Sequence, residues 1–171
     1  MFIRAVAAVA VLALAGCITQ PTKQQVNLIQ EFDSATAQRL VGAGPGSIRG
    51  SALIRQQGGG VVTCAGQTVL LIPATGYANE RMVHLYGNTG KGYRPPRDDH
   101  AFNPDPPEYA RLARETTCDA QGYFSFQRVA EGNFFIVTGV SWVIGGIRQG
   151  GFLMRNVTVS GADQVEVVLT P

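Results

Sequence analysis

From Ser47 to the end of the chain, apolar side chains recur mainly at every second position. Ile48, Gly50, Ala52 and Ile54 alternate with Arg49, Ser51, Leu53 and Arg55, the pattern of a half-buried strand. Gln56–Gly60 reads as a turn, Val61–Cys64 as a short strand, and Gln67–Ile72 as a β-branched run closed by Pro73. Arg81–Tyr86 alternates as well, which predicts a strand with Met82, His84 and Tyr86 on one face. Further on, Tyr123–Gln127 sets Phe124 and Phe126 on one side, and Asn133–Val143 is a long aromatic and β-branched run. Phe152–Val159 and Gln164–Leu169 follow, joined by a turn at Ser160–Asp163. Seven or eight short strands with Gly-rich turns, and no helix after each one, predict an all-β antiparallel sandwich.

Two stretches depart from that rhythm. Val26, Ile29, Phe32, Ala35 and Leu40 fall near helical spacing among polar residues, predicting one amphipathic helix ended by Gly42–Gly46. Gly87–Thr117 is too long for a hairpin loop and carries a predicted short helix at Glu108–Glu115. Long structured insertions in small domains tend to be functional. Tyr93, Arg94, Arg97, Tyr109, Arg111 and Arg114 all lie in it, and Arg and Tyr are the residue types enriched at binding surfaces, so these six form the candidate interface.

The first residues carry an address. Met1–Arg4 holds one positive charge, Ala5–Ala13 is an unbroken apolar run, and Leu14-Ala15-Gly16-Cys17 follows. This is the layout of a secretory signal peptide, and the apolar run is too short to span a bilayer. The four residues ending in Cys17 resemble a bacterial lipoprotein box. That resemblance implies removal of residues 1–16, acylation of Cys17, and a membrane partner held through the lipid, palmitate among its chains. Ile18 after the cysteine, where Asp often marks inner-membrane retention, points to the outer membrane with the domain facing the periplasm. Residues 17–46 then read as a lipidated tether plus the amphipathic helix, and 47–171 as the sandwich domain. With Cys17 lipidated, Cys64 and Cys118 remain as an even pair in an oxidising compartment, which predicts a structural disulfide.

Composition narrows the function. The chain has 171 residues, 45% of them hydrophobic and 15% charged, with a net charge of +2, so no electrostatic case for nucleic acid exists. Lysine is confined to Lys23 and Lys91, and the remaining positive charge is Arg.

Thr117-Cys118-Asp119-Ala120-Gln121-Gly122-Tyr123-Phe124-Ser125-Phe126, with Glu131-Gly132 and Phe134-Phe135 beyond, resembles the Asp-x-x-Gly-x-Phe-x-Phe signature of carboxypeptidase regulatory-like domains. These are transthyretin-like (prealbumin-like) sandwiches that serve as accessory modules. Ile48-Arg49-Gly50 and Val69-Leu70-Leu71-Ile72 resemble their opening strands. The cysteine pair and the insertion are similar to those of a group of bacterial envelope lipoproteins. The resemblance implies a non-catalytic binding or structural module with an envelope protein partner and no cofactor. Outer-membrane lipoproteins of secretion systems, which also use such sandwiches, are the alternative within that class.

The enzyme alternatives are thin. Hydroxyisourate hydrolases end in Tyr-Arg-Gly-Ser with paired catalytic histidines, whereas this chain ends Val-Val-Leu-Thr-Pro. Intradiol dioxygenases need His-x-His, and here His84 and His100 stand far apart. Asp98, Asp99 and His100 form the single acidic-plus-His cluster, which could bind a divalent cation, so a small metal-dependent or hydrolytic enzyme is the alternative of a different class. There is no Gly-x-Ser-x-Gly, His-Glu-x-x-His or P-loop, and no nucleophile is paired with a base.

Overall fold

The computed structural model describes residues 23–96 and 100–171. In chain order the elements are β1 (Gln24–Asn27), α1 (Ser34–Val41), β2 (Ala43–Arg55), β3 (Val61–Thr63), β4 (Thr68–Pro73), α2 (Gly76–Tyr86), β5 (Lys91–Arg94), β6 (His100–Asn103), α3 (Pro107–Arg111), β7 (Arg114–Thr117), β8 (Tyr123–Val129), β9 (Gly132–Ile144), β10 (Ile147–Val159) and β11 (Gln164–Leu169). One sheet runs β5-β10-β9-β4-β7, antiparallel throughout. The second centres on β2, with β11 on one edge and β8, then β3, along the other. The protein is an all-β sandwich, as the period-two pattern predicts.

Between the sheets lie Ile48, Leu71, Phe124, Phe126, Phe134 and Ile136, with further aliphatics from both layers. The long run in β9 has a simple cause. Phe134, Ile136 and Val140 point into the sandwich, while Phe135 and Val137 point the other way onto α2. A strand covered on both faces reads as continuously apolar.

The turn at Asp119–Gly122 forms as the signature implies. The Asp119 carboxylate accepts from the Gln121 and Tyr123 amides at 2.9 and 2.8 Å, and Gly122 adopts φ 87°. A Cβ on Gly122 would meet the Thr63 side chain at 2.4 Å, so that position is closed to other residues. Cys64 and Cys118 are joined in a disulfide, tying the end of β3 to the end of β7, one from each sheet.

Four expectations are corrected. Residues 81–86 are not a strand but the second half of α2. Thr75 accepts from the Ala78 amide at its start, and Gly87, at φ 75°, closes it by donating to the Val83 carbonyl. Ala78, Met82 and Tyr86, spaced by four, then cover the outer face of the larger sheet. His84 is left exposed on the helix surface.

The N-terminal helix is shorter than the apolar spacing suggests. Asp33 caps it by accepting from the Thr36 amide, so it begins at Ser34, and Val26 belongs to β1 instead. Ile29, placed by that spacing on the apolar face, is 87% exposed.

The third correction is to strand direction. β11 lies parallel to β2, in register from Gln164↔Ser47 to Leu169↔Ala52, because the Ser160–Asp163 turn carries the chain across to the other sheet. A short turn looks the same in sequence whether it closes a hairpin or changes sheets.

Finally, Gly87–Thr117 is not a loop. β5 extends one edge of the larger sheet, β7 extends the opposite edge, and β6 pairs in parallel with β1. The predicted helix at Glu108–Glu115 is α3, five residues long and starting at Pro107.

Glu80 of α2 fixes the approach to the helix layer, its carboxylate accepting from the Ile29 amide at 3.0 Å and the Gln30 amide at 2.7 Å. These two bonds hold its pKa below the ordinary 4.5. Because the folded-state value is depressed, the contribution is complete above about pH 4.5 and lost as the pH falls through the lowered value. The protection of the Ile29 and Gln30 amides, measured relative to their intrinsic exchange rates, should therefore fall in acid. In Glu80→Gln it should already be lower at neutral pH, with the global melting temperature little changed.

Candidate functional site

The β9–β10 hairpin runs past the end of the second sheet. β2 stops at Arg55, whereas the hairpin continues to a Gly145–Gly146 turn in which both glycines have positive φ, 56° and 79°. Cross-strand partners share a face, so the pairs Trp142↔Gln149 and Ile144↔Ile147 present four side chains on the side that carries the sandwich core further along. With no strand opposite, this projecting face becomes the floor of an open cleft of about 740 Å³.

The β2–β3 turn supplies the facing wall through Arg55, Gln56, Gln57 and Gly58, and Pro95 and Pro96 close a side. Tyr93 completes the floor. It pairs with Leu153, and its ring lies across Gly151, where a Cβ would meet the ring at 2.7 Å. The Tyr93 hydroxyl donates to the Gly150 carbonyl at 2.8 Å. Gly150 has φ 98°, and a Cβ there would sit 2.0 Å from the Val140 carbonyl oxygen. The Gly150–Gly151 pair is thus the local reason that an aromatic ring can lie flat against β10.

The cleft is lined by two aromatic residues and three glutamines, with Arg55 and Arg148 also at its border and Ile144 and Ile147 about half exposed or more at its mouth. Rings offer flat apolar surface, and amides offer planar hydrogen-bonding groups around it. The Trp142 indole N–H is buried without an acceptor among the described residues. The volume suits a small ligand, and the wide opening suits a chain that continues beyond the site.

The six residues proposed from sequence scatter. Tyr93 lies in the cleft. Arg94, one residue on, points to the opposite face of the sheet, where its guanidinium stands 4.6 Å from the Phe152 ring centroid and meets the Tyr86 hydroxyl. Tyr109 packs inward against Phe32, Tyr77 and Arg81, and burial drives its phenol pKa far upward. Arg111 is exposed and pairs with Glu108 at 3.0 Å. Arg114 donates to the Gln127 and Arg128 carbonyls at 2.6 and 3.0 Å, fastening β7 to β8. Arg97 lies outside the described residues, as do Asp98, Asp99 and Cys17. His100 stacks on Phe102 in β6. Among the described residues no group of three or more His, Cys, Asp or Glu could hold a metal ion, and no helix is long and apolar enough to cross a membrane.

Trp142, Arg55, Arg148 and Gln149 were not singled out as site residues by their sequence context. The available signal was the only Trp of the chain close to a run, Gln149-Gly150-Gly151, that interrupts an otherwise apolar strand.

A crystal structure of a candidate carbohydrate-binding protein from Pseudomonas aeruginosa matches this fold with a TM-score of 0.66 and 28% sequence identity, over 83% of this chain and 99% of its own. The likeness is to a β-rich protein described as a candidate binding protein. No protein-family model and no curated protein matches the chain.

Proposed function

We propose that this protein is a non-catalytic carbohydrate-binding module, anchored through Cys17 to the outer membrane and working on the periplasmic side. The observation that carries the reading is the cleft between Trp142 and Tyr93. A sugar ring is amphipathic, with C–H groups on its faces and hydroxyls on its rim. Aromatic faces receive the former, and Gln56, Gln57 and Gln149 receive the latter. The likeness to a candidate carbohydrate-binding protein supports the same class of ligand. The signal pattern ending in Leu14-Ala15-Gly16-Cys17 supports the anchor, and the oxidised Cys64–Cys118 pair accords with an exported domain.

Trp142 is the only Trp, so its fluorescence reports on the cleft directly. The purified mature protein should change emission when titrated with oligomers of glucose, N-acetylglucosamine or galacturonate. Gln149→Ala, at an exposed position, should weaken the response about tenfold; Trp142→Phe, which keeps a ring but removes the fluorophore, should weaken binding by a similar factor when read by calorimetry, both variants melting near the parent temperature. If no saccharide in the panel binds, the reading fails. The anchor is tested separately: Cys17→Ser should move the protein from the membrane to the soluble fraction, and unchanged fractionation would count against lipidation.

A further inference from the structure

The β9–β10 hairpin leaves its far end uncovered. β4 pairs with β9 only as far as Thr138, and β5 pairs with β10 only from Phe152, so residues 139–151 form a ribbon of two strands. Its tip is apolar on both faces. Cross-strand pairing sets Ile144 and Ile147 on the cleft side, while Val143 shares the opposite face with Arg148. A strand apolar on both faces is normally buried on both. Here Val143, Ile144 and Ile147 are 65%, 61% and 51% exposed, around a Gly145–Gly146 turn where an added Cβ would meet no atom within 4 Å. The ribbon's sequence carries one charge, that of Arg148, and no carboxylate.

The chain enters the fold at this same end. β1 pairs in parallel with β6, so its first residue, Gln24, stands beside His100. His100 follows Pro96 by four positions, which separates them by at most about 14 Å, and Pro96 borders the same cleft as Ile144 and Ile147. Gln24 in turn follows Cys17 by seven positions, so an acylated Cys17 keeps Gln24 within about 25 Å of its leaflet.

We infer that the 143–147 tip is a membrane-contact element. It enters the leaflet that holds the Cys17 lipid, with Val143, Ile144 and Ile147 toward the acyl chains and Arg148 among anionic headgroups. This rests on the Cys17 anchor and adds an orientation to it. Aliphatic side chains gain by leaving water for the acyl boundary, and an Arg beside them can keep its guanidinium among phosphates while its stem lies along apolar surface. A lipid anchor alone lets the domain turn on its tether, whereas the tip selects the end that faces the bilayer.

The test places a single reporter Trp at either end of the hairpin in the full acylated protein, with Trp142→Phe as the common background. Val143→Trp marks the tip, and Ala162→Trp marks the exposed turn beyond the far end of β10. Each protein is reconstituted on vesicles of phosphatidylethanolamine and phosphatidylglycerol whose acyl chains carry bromine, a contact quencher. The tip reporter should shift to the blue and be quenched, and the Ala162 reporter should stay as it is in water. Adding Ile144→Asn and Ile147→Asn should cut the tip quenching at least about threefold, because side chains that prefer water no longer draw the tip in. Both positions are exposed, so these variants should melt near the parent temperature. Protein that floats with the vesicles while neither reporter is quenched overturns the tip contact and leaves the anchor standing. Equal quenching at the two ends overturns the orientation. Quenching that survives both Asn changes overturns the role of those side chains. Protein that fails to float overturns the anchor itself, and the tip contact with it.

Discussion

Replacing Cys64 and Cys118 together by alanine should lower the unfolding free energy by about 4 kcal/mol. The bridge closes a segment with a sequence separation of 54, and the chain-entropy model assigns about that much to a loop of this size. Both cysteines are buried and belong to the main core cluster, so the alanines also remove some packing. The connection matters because of where it lies. Cys64 ends the short strand β3, held to β2 by only three residue pairs, and Cys118 ends the edge strand β7. Neither strand has enough neighbours to be held firmly by pairing, and the bridge makes each the support of the other. Urea unfolding of the double variant, or of the parent in strong reductant, should show a lower midpoint. The greatest gain in amide exchange should fall in β3 and β7. A loss below about 1 kcal/mol would show that the two edges hold without the bridge.

The strands of the sandwich were legible because their alternation is a direct image of burial: Ile48, Phe124, Phe126 and Leu169 are all inside. What failed had competing images. Met82, His84 and Tyr86 alternate, yet Ala78, Met82 and Tyr86 also fall four apart, and the cap residues Thr75 and Gly87 decide between the two. Likewise Val26 and Ile29 fit a helix by spacing, while the start of α1 is set by Asp33 further on. Propensity and period are local, whereas the parallel entry of β11 beside β2 is a property of the whole sandwich, so no short window contains it.

The cleft was less legible than the fold, for the same reason. Arg55, Tyr93, Trp142 and Arg148 come from four strands and three widely separated stretches of chain. They meet because β9 and β10 outrun β2, a difference in length that shows only once the sheets are registered. Arg and Tyr enrichment in the 87–117 segment pointed to the right region for Tyr93. In Arg94, Tyr109 and Arg114, however, the same residue types serve packing and strand fastening. Side-chain type is shared between structural and binding roles, and what separates them is whether a partner is already present in the fold.

Arg81 shows how strong the structural role can be, and Arg81→Ala should cost about 3 kcal/mol. Its guanidinium stands 4.0 Å from the Phe102 ring centroid, 4.6 Å from that of Tyr109 and 5.6 Å from that of Tyr77. It donates to the Tyr77 hydroxyl at 3.0 Å and pairs with Asp105. Tyr77 is wholly buried, and its hydroxyl in turn donates to the Pro104 carbonyl at 2.7 Å. One cation thus gathers α2, β6, α3 and the β1 segment, where Val26 and, just beyond the strand, Leu28 pack with Tyr77. Cation–π contacts are worth more when desolvated, and the Arg81 side chain is only 14% exposed. Asp105 is 56% exposed and recovers water when its partner is lost, so Asp105→Asn should cost no more than about 1 kcal/mol. Arg81→Lys should fall between the two, keeping the charge but losing the flat group that lies against the rings. The cluster also bears on the cleft, because β6 follows the cleft-lining Pro95 and Pro96 after three residues. Loosening β6 should slacken that wall, so Arg81→Ala should weaken saccharide binding although it touches no part of the cleft. If the variant unfolds at the parent's urea midpoint, the aromatic cluster holds without its cation, and the asymmetry between Arg81 and Asp105 has no energetic meaning.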